Sequence, residues 1–178
     1  MIVLGLGELR QWLGVEVGQA HDELLEDLEA RVVDQVERLC SVKLGTADDI
    51  TEYHSGTGAD TIWLDYPANS VETVWIRDGV GFAWVEFDES YYEADGRKLF
   101  ALAGAGWAAG ARNVKVKYEA GYDDPADVPA DLKQLILDLC KLMYRDGRVL
   151  SSTDLPLETW QRQPMVLETL GRYRRPLL

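Results

Sequence analysis

Histidine and cysteine are scarce in this 178-residue chain, which contains two of each. Without a Cys-x-x-Cys pair, a structural zinc site has no basis in the sequence. No apolar run approaches the roughly 20 residues of a membrane-spanning helix, and no basic segment of the signal-peptide type precedes the apolar N-terminus. We therefore expect a soluble cytoplasmic protein with no membrane partner. Its Cys40 and Cys140 are expected to be reduced, buried thiols.

Positively charged residues are also scarce. Against 31 Asp and Glu residues the chain has 18 Lys and Arg, which gives a formal net charge of −13. A protein that grips nucleic acid through its phosphates needs a basic surface. The sequence therefore argues against specific DNA binding.

The residues that usually carry catalysis do not form a recognisable arrangement. His21 adjoins Asp22 in a helical segment and His54 adjoins Ser55 in a strand-like segment, and such neighbours do not face each other. The glycine-rich segment 104–110 leads into a strand and not into the helix that a dinucleotide loop requires. We therefore expect no catalytic residues, no cofactor and no metal site, and the chain is not predicted to be an enzyme.

Helical periodicity predicts three helices, at residues 6–13, 20–44 and 129–147. In the second, apolar residues recur at helical spacings of three and four, at Leu25, Leu28, Val32, Val36 and Leu39. Gly14 and Gly147 are typical helix stops, and Pro129 is typical of a first turn.

The region 49–119 predicts short strands rich in β-branched and aromatic residues and separated by turn residues. They are expected at 49–54, 61–65, 71–78, 82–88, 91–94, 98–102 and 113–119. In the last, Val114, Val116 and Tyr118 alternate with polar residues, which indicates one buried face. Strands grouped between helices favour an α+β fold with a mainly antiparallel sheet.

Residues 1–147 are predicted to form a single α+β domain, with the strands as an insertion between the helices. Residues 148–178 carry three prolines and are locally basic, so we interpret them as an extended C-terminal arm with a short helix near residues 165–173.

Several segments resemble the head–tail connector (adaptor) family of tailed bacteriophages. Residues 114–124 form a strand that ends in Tyr-Glu-Ala-Gly-Tyr, and residues 128–134 continue with Val-Pro and a helix that opens with Leu-Lys-Gln. Residues 144–148 supply an aromatic–Arg ending, and residues 9–14 match a Leu-x-x-Trp-Leu-Gly helix. These motifs and the helix that follows the last of them cover about half of the chain.

The resemblance implies a structural virion protein that forms a ring of about twelve copies below the portal. Such a ring extends the DNA channel, lets DNA pass without specific binding, and offers a surface to the next neck, stopper or tail protein. The expected location is the head–tail interface of the virion, after assembly in the host cytoplasm. In such relatives the C-terminal segment contacts the portal protein, which makes these residues candidate anchors here: Arg148, Trp160, Arg162, Tyr173, Arg174 and Arg175.

An acidic channel wall would weaken the attraction of DNA phosphates. Glu26, Glu29 and Glu37 are predicted to share one face of the second helix and to line such a wall. A solvated helix face that has no contact with DNA is the alternative interpretation.

Three other functions remain open on the sequence. One is a different neck component, such as a stopper or tail-completion protein. Another is a carbohydrate- or ligand-binding β module, for which Trp63, Trp75, Trp84 and Trp107 would have to form an exposed platform. The last is a small hydrolase, which would need a pair of buried carboxylates in a deep cleft.

Overall fold

A computed structural model describes residues 3–16, 19–77, 83–102, 104, 106–145, 148–149 and 164–173. The chain divides into two compact units, a helical unit formed by Met1–Gly45 with Tyr122–Leu178 and a β unit formed by Thr46–Gly121. The predicted α+β class with a mainly antiparallel sheet is confirmed. Whether the chain behaves as the single domain expected for residues 1–147 stays a prediction.

The helical unit contains α1 (Leu6–Leu13), α2 (Gln19–Cys40), α3 (Ala130–Met143) and α4 (Pro164–Tyr173). Its core contains the predicted apolar stripe of α2, in which Leu25, Leu28, Val32 and Val36 are at most 1% exposed. Each such side chain stabilises the fold by about 1.5–3 kcal/mol relative to an exposed position. Cys40 and Cys140 also lie fully buried in this core, as predicted.

Two helices end earlier than predicted. Helix α2 stops at Cys40 because Ser41 adopts a left-handed conformation with φ 52°, and the amide of Leu44 then donates to Oε1 of Glu37 over 2.8 Å. The apolar pattern continued past this end because Leu44 is buried as well. Helix α3 stops at Met143, since the next residues pair as a strand instead of continuing the helix.

That pairing joins β8 (Tyr144–Arg145) to β9 (Arg148–Val149) in an antiparallel ribbon. Part of the predicted C-terminal arm also has a different structure from the one expected. The short helix near its end exists as α4, and it packs against α2 and α3 with Val166 fully buried. This helix therefore belongs to the helical core and not to an arm. The remainder of the predicted arm, residues 150–163 and 174–178, lies outside the described residues.

The β unit contains the seven predicted strands. They are β1 (Ala47–Gly56), β2 (Thr61–Trp63), β3 (Ala68–Arg77), β4 (Trp84–Phe87), β5 (Tyr92–Asp95), β6 (Lys98–Ala101) and β7 (Gly110–Ala120). Four form an antiparallel sheet in the order β1-β7-β3-β4, and three form a second sheet in the order β2-β6-β5.

The core of the β unit takes residues from both sheets. Val114, Val116 and Tyr118 are each at most 1% exposed, which confirms the alternation predicted for this strand. Leu99 of β6 packs in the same core cluster. One face of the four-stranded sheet is therefore buried, and the alternate residues of its strands lie on the opposite face.

No helix within the described part of the chain combines the length and hydropathy that a membrane crossing requires.

Candidate interaction surface

The outer face of the four-stranded sheet gathers aromatic and cationic side chains. In the strand register, Lys115 of β7 pairs with Tyr53 on one side and with Trp75 on the other, and Arg77 of β3 pairs with Trp84 of β4. Arg112 lies three residues before Lys115 on β7. We call this set the aromatic–cationic face, and it consists of Tyr53, Trp75, Arg77, Trp84, Arg112 and Lys115.

The cations of this face lie over its rings. Nζ of Lys115 is 3.7 Å from the centre of the Trp75 ring, and Cζ of Arg77 is 4.3 Å from the centre of the Trp84 ring. Such cation–π contacts contribute about 0.5–1 kcal/mol in exposed positions and about 2 kcal/mol when they are desolvated. The contacts would therefore gain strength if another molecule covered the face.

The same interleaving continues towards the edge of the sheet. Cζ of Arg112 lies 5.0 Å from the centre of the Tyr53 ring, whose own centre is 5.7 Å from that of Trp84. Tyr53 is 45% exposed, which is high for an aromatic side chain in a sheet. The face thus combines an organised interior with an open edge.

The positive charge of the aromatic–cationic face has no carboxylate partner in the part of the chain that the structure describes. Arg77, Arg112 and Lys115 form no ion pair with any carboxylate among the described residues. In the same part of the chain, the buried Nε of Arg77 has no hydrogen-bond partner. The neighbouring Lys117, by contrast, is held 2.6 Å from each of two carboxylates, those of Asp49 and Glu72.

An acidic depression lies elsewhere in the β unit. It is an open concavity of about 590 Å³ between the start of β3 and the segment that joins β4 to β5, and it is lined by Asn69, Ser70, Val71, Asp88, Glu89, Ser90, Tyr92, Glu93 and Ala94. Burial raises the pKa of Tyr92, and the negative charges of Glu89, Glu86 and Asp88 raise it further. These carboxylates therefore create a negative potential at the depression.

A second polar cluster lies on the inner side of the sheet, around Glu52. Its Oε2 is 2.8 Å from Nε2 of His54, its other oxygen accepts from the Tyr118 hydroxyl, and both oxygens accept from the Asp65 amide at 3.1 and 3.2 Å. Burial raises the pKa of Glu52, but the hydrogen bonds from His54, Tyr118 and Asp65 together outweigh it and leave the pKa lowered.

Sequence reasoning missed this cluster because it paired His54 with its chain neighbour. The signal was the spacing Glu52-x-His54, since residues two apart on a strand share a face. The carboxylate is enclosed by these donors and joins β1 to the residues after β2. We therefore interpret the cluster as structural. Among the described residues, no three His, Cys, Asp or Glu side chains converge as metal ligands would.

The three glutamates predicted to line a channel do not share a solvated face. Glu29 is 1% exposed, and its Oε1 accepts hydrogen bonds from the backbone amides of Val3 and Leu4 at 2.7 Å each. The prediction is therefore wrong for Glu29, whose carboxylate is covered by the N-terminal segment. Glu37 is half-buried where it holds the end of α2, and only Glu26 is exposed.

The candidate portal anchors are described only in part. The Tyr173 hydroxyl donates to Oδ1 of Asp131 over 2.8 Å, which ties the end of α4 to the start of α3. Arg148 lies in β9. The remaining candidates lie outside the described residues, and they are Trp160, Arg162, Arg174 and Arg175. Contact with a portal stays a prediction for all six.

The four tryptophans proposed as a sugar platform do not offer free rings. Trp107 is 2% exposed, and its Nε1 donates to the carbonyl oxygens of Asp60 and Leu99. Each of the other three has a cation over its ring: Lys98 over Trp63, Lys115 over Trp75 and Arg77 over Trp84. A carbohydrate would have to displace these cations before it could stack.

No protein-family model matches the chain, and no curated protein matches it. Similar structures exist among solved particles. One is the neck of an empty gene transfer agent (GTA) particle computed with C6 symmetry, with a TM-score of 0.61 at 18% identity over 99% of this chain and 91% of that chain. A native GTA virion matches with a TM-score of 0.62, and the neck of a native GTA particle computed with C12 symmetry with 0.60. Both are 17% identical over the same shares of the two chains.

The chain shares its fold with a component of GTA particles. The resemblance to head–tail connector proteins drawn from the sequence is thereby confirmed at the level of the fold. At these identities the likeness carries the fold and not the residues of any interface.

Proposed function

We propose that this chain is a structural subunit of a virion neck, and more specifically a head–tail connector that forms a ring below the portal. The observation that carries the proposal is the shared fold over 99% of this chain with chains from GTA necks. The sequence motifs that resemble connector proteins support the same function independently. No cofactor and no catalytic step enters this role.

The proposed partners follow from the position of such a ring. They are the portal protein above, a stopper or tail protein below, and further copies of the chain itself, about twelve in all. The two GTA necks were computed with C6 and C12 symmetry, which supports a cyclic arrangement of this kind. A net charge of −13 suits a conduit through which DNA passes without sticking.

The portal contact is proposed for the chain beyond α4 and the segment before it. Since Val166 of α4 is fully buried, deletion of all residues from 148 onward would expose the helical core and could not isolate the contact. The sharper variant is Arg174→Glu with Arg175→Glu, which leaves α4 in place. We expect this pair to weaken portal binding, and unchanged binding would remove both arginines from the proposal.

The channel-lining proposal now rests on Glu26 alone among the three glutamates that are candidates for it. Glu26→Lys should slow DNA passage if this part of α2 faces the lumen. Unchanged DNA ejection from particles that carry the variant would argue against that placement. Glu29→Lys is unsuitable because it would bury an unpaired ammonium.

The deciding experiment mixes the purified chain with the portal protein of the same genome and reads mass and shape by native mass spectrometry and negative-stain imaging. A ring stacked on the portal, with copies that match its symmetry, is the expected result. The connector role would be overturned if the chain stayed monomeric and did not bind the portal at high concentration. A chain that instead binds a tail-side protein would favour another neck component, such as a stopper.

A further inference from the structure

We propose that the aromatic–cationic face is the surface through which one copy of this chain binds the next, and that the acidic depression of the neighbouring copy receives it. This inference rests on the proposed ring and names the surfaces that would close it. Both surfaces lie within the β unit of each copy.

The composition of the aromatic–cationic face is that of an interface centre. Tryptophan, tyrosine and arginine are the residues on which binding energy concentrates in protein interfaces. Here the cations already hold the rings, with Lys115 over Trp75 and Arg77 over Trp84. Side chains that are ordered before contact lose less entropy on binding, so the face is organised for a partner.

Charge complementarity selects the occupant. Arg77, Arg112 and Lys115 make no ion pair with carboxylates of the described residues, and the buried Arg77 Nε lacks an acceptor there. The acidic depression offers the matching set. Its Asp88, Glu89 and Glu93 side chains are exposed, and none of them forms an ion pair with a Lys or Arg in the described part of the chain.

The positions of the two surfaces make the contact head-to-tail. Strand β3 lines the acidic depression with Asn69, Ser70 and Val71 near its start, and it contributes Trp75 and Arg77 to the aromatic–cationic face near its end. At about 3.3 Å per residue the two ends are roughly 20 Å apart. Two different patches that bind each other form a heterologous interface, which generates a closed ring when the rotation from one copy to the next closes, and not a two-fold dimer.

The test reverses each charge set separately. One variant carries Arg112→Glu with Lys115→Glu, and the other carries Glu89→Lys with Glu93→Lys. In each variant the two surfaces have the same sign of charge, so we expect ring formation on the portal to fall by about tenfold or more. Lys98→Glu is the matched control, since Lys98 belongs to the same unit but not to either surface, and it should assemble as the unaltered chain does.

Mixing the two variants in equal amounts supplies the decisive arm. Each variant alone repels itself, whereas in an alternating ring every contact joins opposite charges. We expect the mixture to regain rings that hold both variants in equal number, which native mass spectrometry resolves by mass. Rescue also shows that both variants fold.

An independent readout uses the unaltered chain. Hydroxyl-radical footprinting should show Tyr53, Trp75 and Trp84 oxidised several-fold less in the ring than in the free chain, with Trp12 of α1, 39% exposed and part of neither surface, as an internal reference. This inference would be overturned if either variant assembled into rings as well as the unaltered chain does, or if the oxidation of Tyr53, Trp75 and Trp84 did not change on assembly. Either result would leave the proposed function standing. Protection that appears only when DNA or a tail protein is added would overturn this inference too. Failure of the unaltered chain to form any ring on the portal would overturn both.

Discussion

Glu29 and Leu4 are 25 positions apart in sequence, yet the Leu4 backbone amide donates to Oε1 of Glu29 over 2.7 Å inside the helical core. The same oxygen accepts from the Val3 amide. The buried carboxylate therefore fixes the N-terminal segment against the middle of α2, where Val3 and Leu4 are at most 4% exposed.

Glu29→Ala should lower the free energy of unfolding of the helical unit by about 2–4 kcal/mol. The substitution leaves two buried amides without their acceptor and opens a cavity beneath the N-terminal segment. Urea unfolding followed by far-ultraviolet circular dichroism measures the change. Glu26→Ala, one turn away and exposed, is the control and should stay within about 0.5 kcal/mol of the unaltered chain. Equal losses for both variants would contradict the role of Glu29.

Glu29 and Glu52 should respond to pH in opposite directions. Burial raises the pKa of Glu29 despite the hydrogen bonds from Leu4 and Val3, so its contribution to stability is complete below about pH 4.5 and is lost as the pH rises through the raised value. The pKa of Glu52 is lowered on balance, so its contribution is present above about pH 4.5 and is lost as the pH falls through the lowered value.

Urea midpoints of Glu29→Gln and Glu52→Gln across acid pH test this contrast. Relative to the unaltered chain, Glu52→Gln should be most costly near neutral pH and become harmless in acid. Glu29→Gln should show the reverse trend. Tyr118→Phe, which keeps Glu52 but removes one hydrogen bond that lowers its pKa, should fall between Glu52→Gln and the unaltered chain. Parallel curves for all variants would refute the assignment.

Val166→Ala should cost about 1–3 kcal/mol, because Val166 is fully buried in the helical core and the loss of two methyl groups leaves a cavity. Leu167→Ala is the matched control, since Leu167 is 57% exposed on the same helix, and it should be nearly neutral. Thermal unfolding of the two variants distinguishes a packed α4 from the free arm expected from sequence. If Val166→Ala were as harmless as Leu167→Ala, α4 would not be part of the core.

Gly56→Ala should destabilise the β unit by more than about 1 kcal/mol. A methyl group at Gly56 would overlap the carbonyl group of Ala108, which is backbone and cannot rotate away. Gly7→Ala is the control with the opposite sign, because nothing lies within 4 Å of a methyl group there and alanine stabilises a helix by about 0.5–1 kcal/mol over glycine. Tryptophan fluorescence during urea unfolding follows the change, and stabilisation by Gly56→Ala would disprove the close approach.

The cysteine thiols should be inert in the folded chain. Both are fully buried, and burial, together with the nearby charge of Glu29, raises the pKa of Cys140 to about 12. An aromatic disulfide reagent at mildly alkaline pH should therefore titrate no thiol until denaturant is added, and then two. Rapid reaction of either thiol in the folded chain would contradict the packing of α2 against α3.

Most of the fold could be predicted from local sequence patterns. The helices and strands follow from 3.6-residue and two-residue apolar periods, and Gly14 stops α1 as expected, with φ 68°. The helix ends were harder to predict. Leu44 continues the apolar pattern of α2 although the chain has already turned at Ser41, because burial and not helicity is what periodicity reports.

The interaction surfaces and the buried site of Glu29 depend on long-range contacts that a single sequence does not reveal. Lys115 and Trp75 are 40 positions apart, and only the register of β3 against β7 brings them together. Glu29 looked like one more acid on a polar helix face, and only the N-terminal segment that covers it shows otherwise. Long-range partners of this kind are set by tertiary packing and leave no local period.

The first and last strands of the β unit pair so that Ala47 stands opposite Ala120. Residues opposed in this way have Cα atoms about 4.5–5.5 Å apart. The chain therefore enters and leaves the β unit at nearly the same point. A segment with adjoining ends can be lengthened, shortened or exchanged at little cost in loop entropy to the helices that flank it. The β unit is in this sense an insertion that could be lengthened or replaced without any change in the residues at which the helical unit is interrupted.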